Sequence, residues 1–163
     1  MGETVGRLEN AAVGIPNLDT PLEIREARPR DFVRIAELAA QLSYPSSPED
    51  IARRLAGMRD SRDHAAFVAV QEDGEIAGWL GAFVYRSVEA DARAEISGLV
   101  VDEKLRSRGI GRHLLARAEL WARDAGCRSI GLRSNVLREK AHEFYLRYGY
   151  RHIKTQKSFR KDL

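Results

Sequence analysis

The stretch LVVDEKLRSRGIGRHLL, Leu99 to Leu115, constrains the fold more than any other part of the chain. A short apolar strand runs into a basic turn carrying Gly109 and Gly111, then straight into a segment whose apolar residues Ile110, Leu114, Leu115, Ala118, Trp121 and Ala122 keep helical spacing until Gly126. A strand joined to an amphipathic helix through so short a turn calls for a sheet with helices packed on it. The turn also aims successive backbone N–H groups and the positive end of a helix dipole at one point, an arrangement suited to an anion. Glycine lets the backbone approach a ligand closely. On the hexapeptide Arg106 to Gly111 alone, an ordinary turn with helix-capping glycines explains the residues equally well.

The remaining segments alternate in the same manner. LEIREA (22–27) reads as a half-buried strand, and Pro29 suits the first turn of a helix with Phe32, Ile35, Ala36, Leu38, Ala39 and Leu42 on one face. Ser47 before Pro48 caps a second helix running to Arg59. AAFVAVQ and IAGWLGAFVYR form a hairpin around Asp73-Gly74, and ARAEISGLVV adds a strand. After the central helix come a strand in RSIGLRS (128–134), a helix in REKAHEFYLRYG (138–149) and a last strand in YRHIKTQKSF (150–159). The predicted order is βααβββαβαβ, a mixed α/β (α+β) sheet. At 163 residues the chain holds one domain, expected over residues 21–163 behind a loose extension, residues 1–20.

Several classes fall away. The longest apolar run, GWLGAFVY, is far short of the roughly 18–20 residues that cross a bilayer, so no membrane partner is expected. The N-terminus lacks the basic and apolar regions of a secretory leader, and a single cysteine, Cys127, forms no internal disulfide, so the expected location is cytoplasmic. No His and Cys cluster has metal-ligand spacing, and no metal is expected. A Walker loop is absent, and Leu114 stands where a dinucleotide fingerprint needs its third glycine. Charge is divided unevenly: residues 1–103 hold 11 Lys and Arg against 19 Asp and Glu, a balance of −8, while residues 104–163 hold 16 against 5, a balance of +11. Taken alone, that asymmetry is solvated surface.

GLVVDEKLRSRGIGRHLL resembles motif A of the GCN5-related N-acetyltransferases (GNAT family), Arg/Gln-x-x-Gly-x-Gly/Ala after an apolar strand. SNVLREKAHEFYLRYGY resembles the family's following segment, and the likeness spans about Ile24 to Phe159. Many members place a proline where this chain has DEK. The resemblance implies a GNAT fold with splayed central strands and acetyl-coenzyme A (acetyl-CoA) as cofactor. Pyrophosphate oxygens would take backbone N–H groups of Arg106 to Arg112, chiefly Arg108, Gly109, Gly111 and Arg112, with Ile110 inside the cradle and the bare Gly111 leaving space for phosphate. The pantetheine arm would lie along Leu99, Val100 and Val101 as an added strand, and Asn135 would bind it from beyond the next strand. The basic C-terminal half would then be the field around a polyanion.

For catalysis the resemblance assigns Tyr145 as the acid that protonates the departing sulfur. Glu95, four residues before Leu99 and so expected on the same strand face, could accept the amine proton through water; a solvated strand charge accounts for it equally. His142 reads as a solvent-facing helix residue, and Trp79 and Trp121 as core. The implied acceptor is a small-molecule primary amine, polyamine-, aminoglycoside- or aminoalkylphosphonate-like, with a protein N-terminus or lysine as the alternative. The acidic first 103 residues mildly favour a cationic amine. A catalytically silent acyl-CoA sensor would have no need of Tyr145. A nucleic-acid partner is not expected, because the basic half shows no aromatic ladder or helix-turn-helix pattern. A homodimer is compatible with the sequence.

Overall fold

The computed structural model describes residues 21–163, and the expected extension at residues 1–20 lies outside the described residues. Five strands, β1 (Leu22–Glu26), β2 (His64–Gln71), β3 (Ile76–Tyr85), β4 (Arg93–Val101) and β5 (Ile130–Leu132), form one sheet in sequence order. The first four pair antiparallel, β1 with β2 across a connection that carries two helices, whereas β4 and β5 run parallel. A parallel pair needs a crossover, and the helix predicted after the glycine turn supplies it.

Four helices cover the sheet: α1 (Phe32–Gln41), α2 (Pro48–Ala56), α3 (Ile110–Asp124) and α4 (Glu139–Arg147). Ser47 caps α2 as predicted, its Oγ accepting the Asp50 N–H at 3.1 Å, but the helix stops at Ala56, before Gly57, instead of reaching Arg59. Gly126, at φ +77°, turns the chain out of α3.

The alternation of the strands divides the core in two. On one face Phe67, Leu80 and Ile96 pack with Leu114 and Leu115 of α3, and α4 adds Phe144, Tyr145 and Tyr148 at the margin. On the other face Val68, Val70 and Val100 pack under Leu38 of α1 and Ile51 of α2. Phe67, Leu80, Leu114 and Leu115 are wholly removed from water, worth about 1.5–3 kcal/mol each. Trp79 packs against the second face and Trp121 against the first, as expected of core residues.

The last predicted strand does not form: no regular structure follows α4, and every residue from Arg151 to Leu163 is exposed. Two causes are visible. β5 extends over only three residues instead of the seven expected, so it offers little edge. The chain leaves α4 through Gly149, at φ +86°, and Tyr150, whose hydroxyl donates to Glu119 of α3 at 3.4 Å, so its exit is fixed before pairing could begin.

Candidate functional site

The site is built where β4 outruns β5. Pairing between them covers only Ala94, Glu95 and Ile96 of β4, so from Ser97 onward that edge of β4 is open. Asp102 donates its N–H to Ala77 O of β3 at 2.8 Å. Backbone polarity alternates along a strand, so Val101 and Leu99 turn their amides to the open side. The Arg106 side chain confirms the direction for Val101: its Nε–H donates to Val101 O at 3.2 Å.

Beyond Val101 a short 3-10 turn (Glu103–Leu105) leads into the glycine turn. Two residues there take positive φ, Ser107 at 65° and Gly109 at 82°. The αL conformation of Gly109, cheap for glycine alone, starts α3 with no side-chain cap. Gly109 O accepts the N–H groups of both Arg112 (3.0 Å) and His113 (3.2 Å). The N–H groups of Arg106 to Gly111 donate to no acceptor among the described residues. They are gathered at the positive end of a fifteen-residue helix, with the exposed Arg106 and Arg108 beside them.

Two expectations about this turn are corrected. The Arg112 N–H is already spent on Gly109 O, and its guanidinium is buried against Glu119 (3.3 Å) and over the Tyr148 ring (5.2 Å to the centroid), so Arg112 braces the helix from within. Gly111 does not keep space for phosphate: a Cβ there would point into Phe144, 3.0 Å from Cζ.

Phe144 therefore seats α4 against the first turn of α3, and Tyr145 follows it. The Tyr145 ring meets Phe144 and Tyr150 edge to face, at 5.2 and 5.6 Å between centroids. Burial raises the pKa of its hydroxyl above the ordinary phenol value, with Arg138 pulling weakly the other way. Before α4, Asn135 Oδ1 accepts the Leu137 N–H (2.9 Å), Asn135 O lies 3.0 Å from His142 Nε2, and Arg138 donates to Leu42 O (2.9 Å). That last bond joins the loop holding Asn135 to the end of α1. What Asn135 can still offer a ligand is its amide nitrogen.

Glu95 is not on the Leu99 face. Gly81 pairs with Gly98 but Ala82 pairs with Ile96, so Ser97 is an extra residue, a β-bulge. The bulge inverts the parity: Leu99 lies opposite Leu80 and Glu95 opposite Phe83, which belong to different faces. The buried Glu95 carboxylate is ion-paired with Arg133, whose Nε lies 3.0 Å from Oε1, and Arg93, itself stacked 4.1 Å over the Tyr85 ring, stands 3.8 Å away. The structure thus joins Gly111, Phe144 and Tyr145 on one face and sets Glu95 on the other, at the last residues before the strands part. The sequence reading missed Ser97, Phe144 and the Arg112–Glu119–Tyr150 network, each fixed by contacts remote along the chain. Among the described residues no group of His, Cys, Asp and Glu side chains could hold a metal, and no helix is long and apolar enough to cross a membrane.

Residues 26–150 match the family model of the Acetyltransferase (GNAT) family. The chain belongs to that family. It is an acetyl-CoA-dependent N-acetyltransferase of GNAT fold. An aminoglycoside N(6')-acetyltransferase type 1 from Stenotrophomonas maltophilia is 29% identical over 144 residues, covering 86% of this chain and 93% of that protein. An aminoalkylphosphonate N-acetyltransferase from Salmonella typhimurium is 33% identical over 135 residues, covering 79% and 84%. In fold the chain resembles glucosamine-6-phosphate N-acetyltransferase from Arabidopsis thaliana, with a TM-score of 0.76 at 23% identity over 87% of this chain and 99% of that one. It also resembles an aminoglycoside N-acetyltransferase solved in complex with CoA, with a TM-score of 0.78 at 18% identity over 88% and 97%. The GNAT turn of this chain fits acetyl-CoA on its own geometry: unpartnered N–H groups for a pyrophosphate, and an open strand edge for an amide-bearing arm.

Proposed function

We propose that this GNAT enzyme acetylates the primary amine of a small molecule by direct attack within a ternary complex. The reading is carried by one observation, the opening of the sheet beside Ile96 with Tyr145 on one face and Glu95 on the other. Arg108, Gly109, Ile110 and Gly111 would hold the pyrophosphate through backbone N–H groups, and Leu99 and Val101 would hydrogen-bond the pantetheine arm, with Asn135 steadying it from the far side. Bound acetyl-CoA supplies an activated thioester carbonyl. Tyr145, kept protonated by burial, would donate its proton to the leaving sulfur, and Glu95 would draw the ammonium proton off through water from the opposite face. The two proton paths need not cross.

A second feature bears on the acceptor. Two guanidiniums, Arg93 and Arg133, flank the single carboxylate of Glu95, so this corner of the sheet is locally cationic although the first 103 residues are acidic overall. That favours an amine carrying its own anionic group, of the aminoalkylphosphonate kind, over a polyamine or an aminoglycoside. The 33% identical relative is itself named an aminoalkylphosphonate N-acetyltransferase. Thiol release from acetyl-CoA, measured over a panel of 2-aminoethylphosphonate, kanamycin, spermidine and a lysine peptide, tests both statements. The phosphonate should give the highest kcat/KM, turnover of the peptide alone would make the enzyme a protein acetyltransferase, and acetyl-CoA binding without turnover of any amine would make it a sensor.

A further inference from the structure

The cleft assigned to the cofactor has two walls that come from different parts of the chain. One is the open edge of β4 with the turn that follows it; the other is the loop holding Asn135, which runs into α4. Arg138 makes that second wall one piece: its backbone N–H donates to Asn135 O at 3.0 Å, and its own carbonyl accepts the N–H groups of Ala141 and His142 in the first turn of α4. On the α3 side the walls meet where Phe144 packs against Gly111. On the other side the sheet pairing has ended, and the element that reaches both walls is α1.

Two adjacent residues at the end of α1 reach one wall each. Gln41 Oε1 accepts the N–H of Glu103, the second residue after β4, at 3.0 Å. Arg34, seven residues before Gln41 and so on the same stripe of the helix, reinforces that attachment: it pairs with Asp102 and donates its Nε–H to Ile76 O at 3.2 Å. Leu42 O accepts from Arg138 Nη2 at 2.9 Å, which sets a cation on the negative end of the helix. The helix end itself is fixed. Ser43 takes φ 65°, the N–H groups of Ser43 and Tyr44 return to Ala40 O and Ala39 O, and Leu42 O is left for a partner outside the helix. A residue with a Cβ keeps that conformation only where its surroundings determine it.

We propose that the end of α1 is a brace that sets the width of the cofactor cleft, with Gln41 and Arg138 as its positioning residues. The inference rests on the reading that the pantetheine arm lies between the β4 edge and Asn135. An arm that hydrogen-bonds to both walls binds well only when their spacing is set in advance; otherwise binding must also order the loop. A purely local role differs, because Gln41 would then steady only the turn and Arg138 only the start of α4. A brace is lost when either end is cut, so its two ends do not act independently. Gln41 and Arg138 are both exposed, so the core does not depend on either bond.

The test compares calorimetric affinities of the full chain for two ligands that share the pyrophosphate: coenzyme A, and 3'-phosphoadenosine 5'-diphosphate, which lacks the pantetheine arm. Gln41→Met and Arg138→Met each remove one end of the brace. Each should weaken coenzyme A about three- to tenfold while the nucleotide stays within about twofold, with circular dichroism unchanged. The double variant should lose no more than the worse of the two single variants, because the brace is already cut. Arg138→Lys, which can still donate to Leu42 O, should keep most of the affinity. Equal losses for both ligands, losses that multiply in the double variant, or coenzyme A binding unchanged in Gln41→Met each overturn the brace. Gln41→Met decides alone should Arg138→Met not fold. A wild-type protein that binds coenzyme A no better than the nucleotide overturns the reading of the cleft itself, and the brace with it.

Discussion

A Cβ built on Gly111 would come within 3.0 Å of Phe144 Cζ, so the first turn of α3 and the middle of α4 touch at a point where even a methyl group would press on the Phe144 ring. Motif glycines at a phosphate turn are usually explained by the ligand; here the second glycine serves the contact that places Tyr145. Gly111→Val should therefore destabilise the protein by about 1–3 kcal/mol, the usual cost of overpacking. It should also lower kcat more than coenzyme A affinity, because α4 shifts while the N–H groups stay. Thermal unfolding and calorimetric titration separate the two, and adding Phe144→Leu should restore part of the loss.

Gly109 behaves differently. Its φ of +82° is costly for any residue with a Cβ, by roughly 1–2 kcal/mol. Gly109→Ala should be accommodated by rotation of the turn, which disperses the N–H groups that precede α3. Coenzyme A affinity should fall about tenfold, equivalent to 1.4 kcal/mol. Titration with 3'-dephospho-coenzyme A, which keeps the pyrophosphate, should show the same loss.

Asp31 anchors the start of α1. It is buried, accepts from both nitrogens of Arg25 at 2.7 and 2.9 Å, and takes the Arg28 N–H at 2.7 Å. Burial alone would raise its pKa, but the Arg25 hydrogen bond, the Arg28 N–H and the charge of Arg25 outweigh it and hold the carboxyl below its ordinary range. A depressed carboxyl stabilises the fold above its unfolded pKa, near 3.9, and that contribution disappears as pH falls through the folded value. Asp31→Ala should cost about 1–3 kcal/mol at pH 7, since the largely buried Arg25 then keeps only the Glu26 carbonyl as an acceptor. The gap between wild type and variant should narrow in urea unfolding as the pH drops below 4.

How much of this was legible in the chain depends on the range of the cause. The β4–turn–α3 unit is local, and the apolar spacing of Ile110 to Ala122 specified it well. The bulge at Ser97 was not legible, because a register shift exists only relative to β3, and with it went the expectation that Glu95 and Leu99 share a face. The role of Gly111 needed Phe144, thirty-three residues on. The final strand had suitable residues but no partner in reach, and periodicity reports on residues alone.

Tyr145 is the sharpest test of the chemistry. Its burial keeps the hydroxyl protonated past the ordinary phenol range, so it can act as an acid at neutral pH. Tyr145→Phe keeps the ring and its packing on Phe144, and should lower kcat by about 10² to 10⁴ with little change in coenzyme A affinity. Because its folded pKa is raised, Tyr145 stabilises the fold fully below pH 10 and less as pH climbs through the folded value. The phenylalanine variant should therefore lose less stability than wild type as the pH rises above 10. Near-full turnover would make Tyr145 a core residue only.

Arg133 separates the two acceptor classes. Its guanidinium sits 3.0 Å from Glu95 yet its side chain is largely exposed, at 73%, so it has donors to spare for a second anion. A phosphonate held by a charged hydrogen bond gains about 1.5–3 kcal/mol, which corresponds to roughly ten- to a hundredfold in kcat/KM. Arg133→Ala should remove that factor for 2-aminoethylphosphonate and leave an amine without an anionic group, such as propylamine, within about threefold. Arg133→Lys should recover part of it, because the charge returns without the planar fork. An equal loss for both amines would show that Arg133 acts through Glu95 and not on the acceptor, and the preference for an anion-bearing amine would then have to come from elsewhere on the cationic rim, with Arg93 the remaining candidate.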